Sequence, residues 1–397
     1  MIPSAGTPIE VIKLIKGIKG FLSERESIKS FENALKTIVD VKFAFAINSG
    51  TSAIFIALES LKRIRPDRKK VVIPAYTAPV IKLPIEKAGL EIVLCEVSRD
   101  TFNMDLTKLP ELLSLSDDVL CVMPVHLFGI PTDIEPIKAM AKDKDIFILE
   151  DAAQSFGSKI DEKQTGSFGD IGILSFHRGK NLSTYSGGAI LTNSESIANI
   201  CERMVNALPC QGTISRFSNL IKLTIISQLI KPLVYDILNP LAAPFKSRDV
   251  HEAFDAFKYT GFQANVGVQV FEHLEEYSRI RYNNGMRLLN GLKGVKGVTV
   301  PKIRDGMFSA FNQFPIVLDD ADKMGKLFTA LLNKGIETTR LYLKPMHNIF
   351  HLRYAKEPDP FPTASWLAQG LLLIPTHPYA ASNDMDTAIE TIKEIIK

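Results

Sequence analysis

IFILEDAAQSFGSKIDEKQTGSFGDIGILSFHRGKNLSTYSGGAILTN, residues 146–193, decides how the rest of the chain is read. Ile146 to Glu150 have the length and β-branching of a strand buried on both faces. Asp151 falls at its C-terminal edge, where open α/β sheets bind their ligands. Gly172 to Phe176 and Gly188 to Leu191 read as two further short strands, and Lys180 sits on the turn between them.

A carboxylate at a strand end and a lysine on a nearby turn are what pyridoxal phosphate chemistry requires. The amine bonds the cofactor aldehyde as a Schiff base, and the carboxylate keeps the pyridine nitrogen protonated so that the ring accepts electrons. Lys180 and Asp151 are the candidates for these tasks. The same pair also suits a solvated loop, and spacing alone does not separate the readings.

Outward from this stretch, strand and helix signals alternate. Phe43 to Ile47 is a strand, and Asn48-Ser49-Gly50-Thr51-Ser52 turns it into a helix from Ala53 to Leu61. Small residues at a helix start leave backbone N–H groups free for an anion, although an ordinary N-cap would use them equally. Val71 to Ile73, Ile92 to Val97 and Leu120 to Val125 continue the strand series, which implies a mainly parallel sheet covered on both faces. His126 ends the last of these, either as a cofactor or substrate contact or as a satisfied structural histidine. Two amphipathic helices, Ile9 to Leu22 and Glu24 to Ile38, precede the first strand. A long amphipathic helix from Asn265 to Leu289, strand-like Phe311 to Val317, a helix from Ala321 to Lys334 and Thr338 to Tyr342 suggest a smaller α+β unit at the C-terminal end.

DAAQSFG followed by GSFGDIGILSFHRGKNLSTYSGGAI resembles the DegT/DnrJ/EryC1/StrS aminotransferases, which act on nucleotide-linked keto-sugars. FAINSGTSAIFIAL, VVIPAYTAPVIKLPIEKAGLEIV, VMPVHLFGIPTDIEPI, KPMHNI and LLLIPTHP resemble family segments in the same order, leaving only about Leu208 to Lys258 outside. The resemblance implies an α/β, fold-type I enzyme with a large domain over 1–255 and a smaller α+β domain over 256–397. It also implies bound pyridoxal 5'-phosphate, a homodimer, an amino acid donor such as glutamate, and a place in polysaccharide or secondary-metabolite sugar synthesis. By the same resemblance Gly50, Thr51 and Ser175 hold the cofactor phosphate, and Gln154 packs against the ring and its hydroxyl. Substrate contacts would come from His126, Tyr185, Lys258, His347 and His377.

The chain departs from the family pattern at three places. Ala78 stands where an aromatic residue covers the cofactor ring, so Tyr76 is either a substitute or a tyrosine packed under its loop. Tyr185 and Ser186 replace a common Gly-Glu, and Ala256-Phe257-Lys258 replaces an Asn-Tyr-Arg run that reaches the partner subunit. These changes leave room for a binding or regulatory homologue without turnover. Dehydratase relatives carry histidine in place of the lysine, against which Lys180 argues.

The chain has 397 residues, 46% hydrophobic and 23% charged, ordinary for a soluble fold of two units and unlike a disordered chain. A net charge of +3 makes no case for nucleic-acid binding. Cys95, Cys121, Cys201 and Cys210 lack zinc or redox-motif spacing and are expected as reduced thiols, which with the unremarkable start of the chain points to the cytoplasm. The segment Leu220 to Phe245 is apolar and punctuated by Pro232, Pro240 and Pro244, which should break it into short helices. Its surface is expected at a subunit interface or under the site rim, with a bilayer headgroup surface as the lesser alternative.

Overall fold

The computed structural model describes residues 1–242, 253–320, 322–350, 352–355 and 357–397. Its elements run α1 (Val11–Gly17), a 3-10 turn (Ile18–Phe21), α2 (Glu24–Val39), β1 (Phe43–Ile47), α3 (Gly50–Ile64), β2 (Lys70–Pro74), α4 (Lys82–Lys87) and β3 (Glu91–Cys95). There follow α5 (Leu109–Ser114), β4 (Val119–Val122), α6 (Glu135–Lys142), β5 (Phe147–Asp151), a small hairpin of β6 (Lys159–Ile160) and β7 (Lys163–Gln164), β8 (Ile171–Ser175), β9 (Gly188–Thr192) and α7 (Glu195–Ala207).

Seven strands form one sheet in the order β1-β9-β8-β5-β4-β2-β3. The pairings from β8 through β5, β4 and β2 to β3 are parallel, whereas β9 runs antiparallel to both β8 and β1. Alternation along β8 and β9 shows why every residue of both is buried. Ile173 and Ile190 enter the core on one face, while Leu174, Ala189 and Leu191 enter the core on the other, beside Phe31 and Leu35 of α2.

The strand directions gather the interesting ends at one edge. Asp151 pairs in parallel with Ile173, two residues before Ser175, and Ser175 and Ile47 both pair with Gly188. The chain therefore leaves β1, β5 and β8 on the same side of the sheet, and α3 starts there.

After α7 come α8 (Thr213–Leu229), α9 (Pro232–Ala242), α10 (Gly261–Phe271) and α11 (Leu274–Leu292). The apolar segment is thus longer-helical than its prolines suggested. Pro232 opens α9, where its missing N–H costs nothing, instead of breaking a helix. Its expected end at 243–245 lies outside the described residues. The helix expected over 265–289 is two helices, because Glu272-His273 interrupts it and His273 leaves helical geometry at φ −101° and ψ 5°. α10 packs on α1 and α2 beside the large sheet, while α11 packs on the C-terminal helix.

The smaller unit adds β10 (Val298–Thr299), β11 (Met307–Phe308), β12 (Phe314–Leu318), α12 (Asp322–Asn333), α13 (Met346–Ile349), α14 (Pro362–Gly370), β13 (Leu371–Ile374) and α15 (Ser382–Ile396). β10, β12 and β13 form an antiparallel sheet, and β11 pairs with β6 of the large unit. Thr338 to Tyr342 is not a full strand: Thr339 alone bridges Leu373, and the chain then turns away at Tyr342, φ 45°. The first residues bind the units together. Ile2 donates to Gly335 O at 2.7 Å, and Thr7 Oγ1 donates to Lys180 O at 3.1 Å.

Candidate active site

The gathered strand ends open onto a cleft of about 1310 Å³ between the two units. Asp151, Gln154, Ser175, Lys180, Tyr185, Gly50 and Thr51 all line it, so seven of the residues singled out in the sequence meet in one place.

Asp151 is 5% exposed, and its Oδ1 accepts a hydrogen bond from Ala153 N at 3.0 Å. Burial pushes its pKa up, against the Ala153 bond and the nearby Lys180, which pull it down. Lys180 is shifted the other way: burial lowers its pKa, and Asp151 opposes that. Each group thus stands in the other's field inside a poorly solvated cleft. A cationic ring nitrogen beside Asp151 would stabilise its charge.

Ser49 caps α3, with its Oγ accepting from Ser52 N at 3.1 Å. That leaves the N–H groups of Gly50 and Thr51 at the cleft, beside Ser175 Oγ, in the field of the helix N-terminus. The cradle depends on Gly188: a Cβ there would lie 2.5 Å from Ser49 C and 2.6 Å from Gly50 N, so only glycine lets β9 close against the start of α3. Thr77 Oγ1 and Thr338 Oγ1, both on residues lining the cleft, are buried without a hydrogen-bond partner, as expected of groups aimed at a ligand. An anion cradle, a buried carboxylate and a depressed amine fit a phosphorylated pyridine aldehyde.

Gln154 is locked from below by Phe128 N, which donates to Oε1 at 3.0 Å, and its Nε2 faces Tyr342 OH at 3.4 Å. Tyr342 was not among the expected site residues. It lines the cleft near enough to Asp151 for that carboxylate to help push its phenol pKa up, after burial. Tyr185 and Tyr342 are the cleft residues other than glycine that hold a positive φ, 73° and 45°, a conformation costly for an aromatic residue and often retained where a side chain must be aimed. Sequence showed the end of an element near Tyr342 but not its backbone angle.

Four expected contacts lie elsewhere, and Lys258, expected to reach the partner subunit's site, lies off this chain's own cleft. Tyr76 is 1% exposed and its OH donates to Leu341 O at 2.6 Å, so it packs beneath its loop and does not line the cleft in place of Ala78. His126 is fully buried: Nδ1 accepts from Thr132 N at 2.8 Å, so Nε2 carries the hydrogen shared with Glu150 Oε2 at 3.0 Å. Glu150 also takes the N–H groups of Gly166, Phe168 and Gly169, which makes this pair a clamp behind Asp151. His347 bonds Asp359 at 3.0 Å and lines a smaller pocket that adjoins the cleft through Leu343, Lys344 and Ile349. His377 is buried and donates to Pro3 O at 2.7 Å; desolvation and the neighbouring Arg281 lower its pKa to about 3, so it is neutral. Lys258 does not line the cleft, although the backbone around it is tied to Ile47 and Pro209.

Comparison with known proteins gives a consistent picture. The sequence model of the DegT/DnrJ/EryC1/StrS aminotransferase family matches residues 11–393. The chain is 26% identical over 389 residues to the spore coat polysaccharide biosynthesis protein SpsC of Bacillus subtilis (strain 168), covering 95% of this chain and 92% of that protein. It is 24% identical over 389 residues to the dTDP-4-amino-4,6-dideoxy-D-glucose transaminase of Shigella dysenteriae, covering 98% and 95%. The crystal structure of a DegT DnrJ EryC1 StrS aminotransferase from Brucella abortus matches with a TM-score of 0.74 at 25% identity, over 96% of this chain and 95% of that one.

Proposed function

Because the chain belongs to the DegT/DnrJ/EryC1/StrS aminotransferase family and is a pyridoxal phosphate-dependent aminotransferase, we propose that it moves an amino group from glutamate to a keto-sugar carried on a nucleotide. The observation that carries this reading is the convergence of Lys180, Asp151 and the α3 cradle in one cleft. The cleft volume supports the acceptor. At about 1310 Å³ it exceeds the usual range for small-molecule pockets, leaving room for a nucleotide sugar beside the cofactor.

Pyridoxal phosphate, when bound, supplies an electron sink that lowers the cost of taking a proton from the carbon bearing the amine. In this reading the N–H groups of Gly50 and Thr51, with Ser175 Oγ, hold the phosphate, and Asp151 holds the ring nitrogen. Lys180 Nζ would take the proton from the donor carbon and return it to the carbon on the far side of the amine nitrogen, two atoms away. Its lowered pKa suits that task, because a base must be neutral to accept. Gln154, fixed by Phe128 N, keeps one side of the ring from tilting. Lys344 lines the cleft and would meet a phosphate of the acceptor, while Arg340, also in the lining, is tied to Ala368 O and Gln369 O. A dehydratase would require another group in place of Lys180. The homodimer belongs to the same reading.

Absorbance tests the proposal. The holoenzyme should show a visible cofactor band that glutamate bleaches and a nucleotide keto-sugar restores. Lys180→Ala should lower turnover by at least about 10³-fold, the scale of a lost general base. A band indifferent to glutamate, or near-normal turnover of the variant, overturns the reading.

A further inference from the structure

Away from the catalytic groups, one face of the molecule is built like an amphipathic membrane-binding surface. On α8, Phe217, Ile221 and Ile225 follow one another at helical spacing and are all exposed, Ile221 at 56% and Ile225 at 50%, while Leu223 and Ser227 on the opposite side are buried; Ile214, one turn earlier, is exposed and also lines the cleft. The same pattern recurs on α1 and its 3-10 extension, where Val11, Ile15, Ile18 and Leu22 point outward, Leu22 at 93%. Phe21 stacks on Phe217 with ring centroids 5.5 Å apart, which joins the two stripes into one face. Isolated apolar side chains on a surface need no explanation, but two stripes joined by a ring stack do.

Charge says what the face meets. α1, its 3-10 extension and α8 contain no Asp or Glu, yet they carry Lys13, Lys16, Lys19, Arg216 and Lys222. Lys13 and Arg216 are neutralised by Glu272 and Glu24. Lys16 and Lys19 are exposed and form no ion pair among the described residues, whereas Lys222 turns to the cleft, its Nζ 5.7 Å from the centroid of the Tyr185 ring. A bilayer with anionic headgroups supplies both an apolar layer for the isoleucines and negative charge for the lysines. No described helix is long and apolar enough to cross a membrane, so the contact is lateral.

We propose that α1 and α8 seat this protein on an anionic membrane surface. The inner side of the same helix reaches the site: Ser218, Asn219 and Lys222 of α8 line the cleft. Seating therefore places the cleft next to the headgroups, where an acceptor or a product-consuming enzyme held in the membrane can exchange with it.

Vesicle co-sedimentation of the full-length holoenzyme tests this with neither sugar nor amino donor present, so it succeeds or fails independently of the aminotransferase reading. The protein should partition at least tenfold more strongly onto phosphatidylcholine vesicles containing phosphatidylglycerol than onto phosphatidylcholine alone, and salt should reverse the gain. Ile221→Asn with Ile225→Asn, neither of which lines the cleft, should abolish partition while visible absorbance and melting are retained. Lys16→Glu with Lys19→Glu, whose stripe stays apolar, should lose roughly fivefold per lysine removed. Equal partition of wild type and the isoleucine variant overturns the proposal. So does a wild type that ignores vesicles while the isoleucine variant shifts from dimer to monomer in sedimentation velocity, which would assign the face to a second copy.

Discussion

Lys180 and Asp151 are costly residues for this fold, and the cost is measurable without cofactor. Burial lowers the lysine pKa below its ordinary 10.5, so the unfolded chain binds more protons between the folded value and 10.5. Stability therefore rises with pH across that window and is level on either side of it, lowest below the folded pKa. Lys180→Met should remove this part of the slope, read as the difference in urea midpoint between variant and wild-type apoprotein from neutral to alkaline pH. Asp151 carries the opposite sign. Its raised pKa means that the folded state binds the extra proton, and stability is lost as pH climbs above the ordinary 3.8. Asp151→Asn should therefore raise apoprotein stability at neutral pH while lowering turnover by about 10²- to 10³-fold, as expected on losing a charge that stabilises the ring. Tyr342, strained and facing Gln154, should matter for binding more than for folding: Tyr342→Ala is expected to weaken cofactor or acceptor binding roughly tenfold, about 1.4 kcal/mol, in an equilibrium titration.

The elements around the site act as supports whose failure has a distinct signature. Gly188→Ala would drive a methyl group into the Ser49–Gly50 backbone and displace the start of α3. We expect a stability loss of about 1–3 kcal/mol together with loss of cofactor retention in dialysis. His126→Ala, in contrast, strips one of four donors from the buried Glu150 carboxylate without touching the cleft. It should lower the unfolding free energy by about 1.5–3 kcal/mol in urea and alter cofactor binding less than Gly188→Ala does. The contrast separates residues that shape the cradle from residues that brace the strand behind it.

For the whole molecule, the large and small sheets share one continuous apolar core, to which the first residues add hydrogen bonds from Ile2 N to Gly335 O and from Thr7 Oγ1 to Lys180 O. Removing residues 2–6 should therefore lower the melting temperature while a single calorimetric transition is kept. The sequence alone was enough for the parallel sheet, because strand period and turn residues are local properties of the chain, and its resemblance to a family carried the pyridoxal phosphate cofactor and the roles of Lys180, Asp151 and the α3 turn. It did not reveal that His126, His347, His377 and Tyr76 are spent on Glu150, Asp359, Pro3 and Leu341, nor that Tyr342 enters the cleft. A polar side chain near a strand end becomes a ligand contact or a brace according to which partner reaches it first. Those partners lie tens to hundreds of residues away in the chain, so only the folded structure brings them within hydrogen-bonding distance.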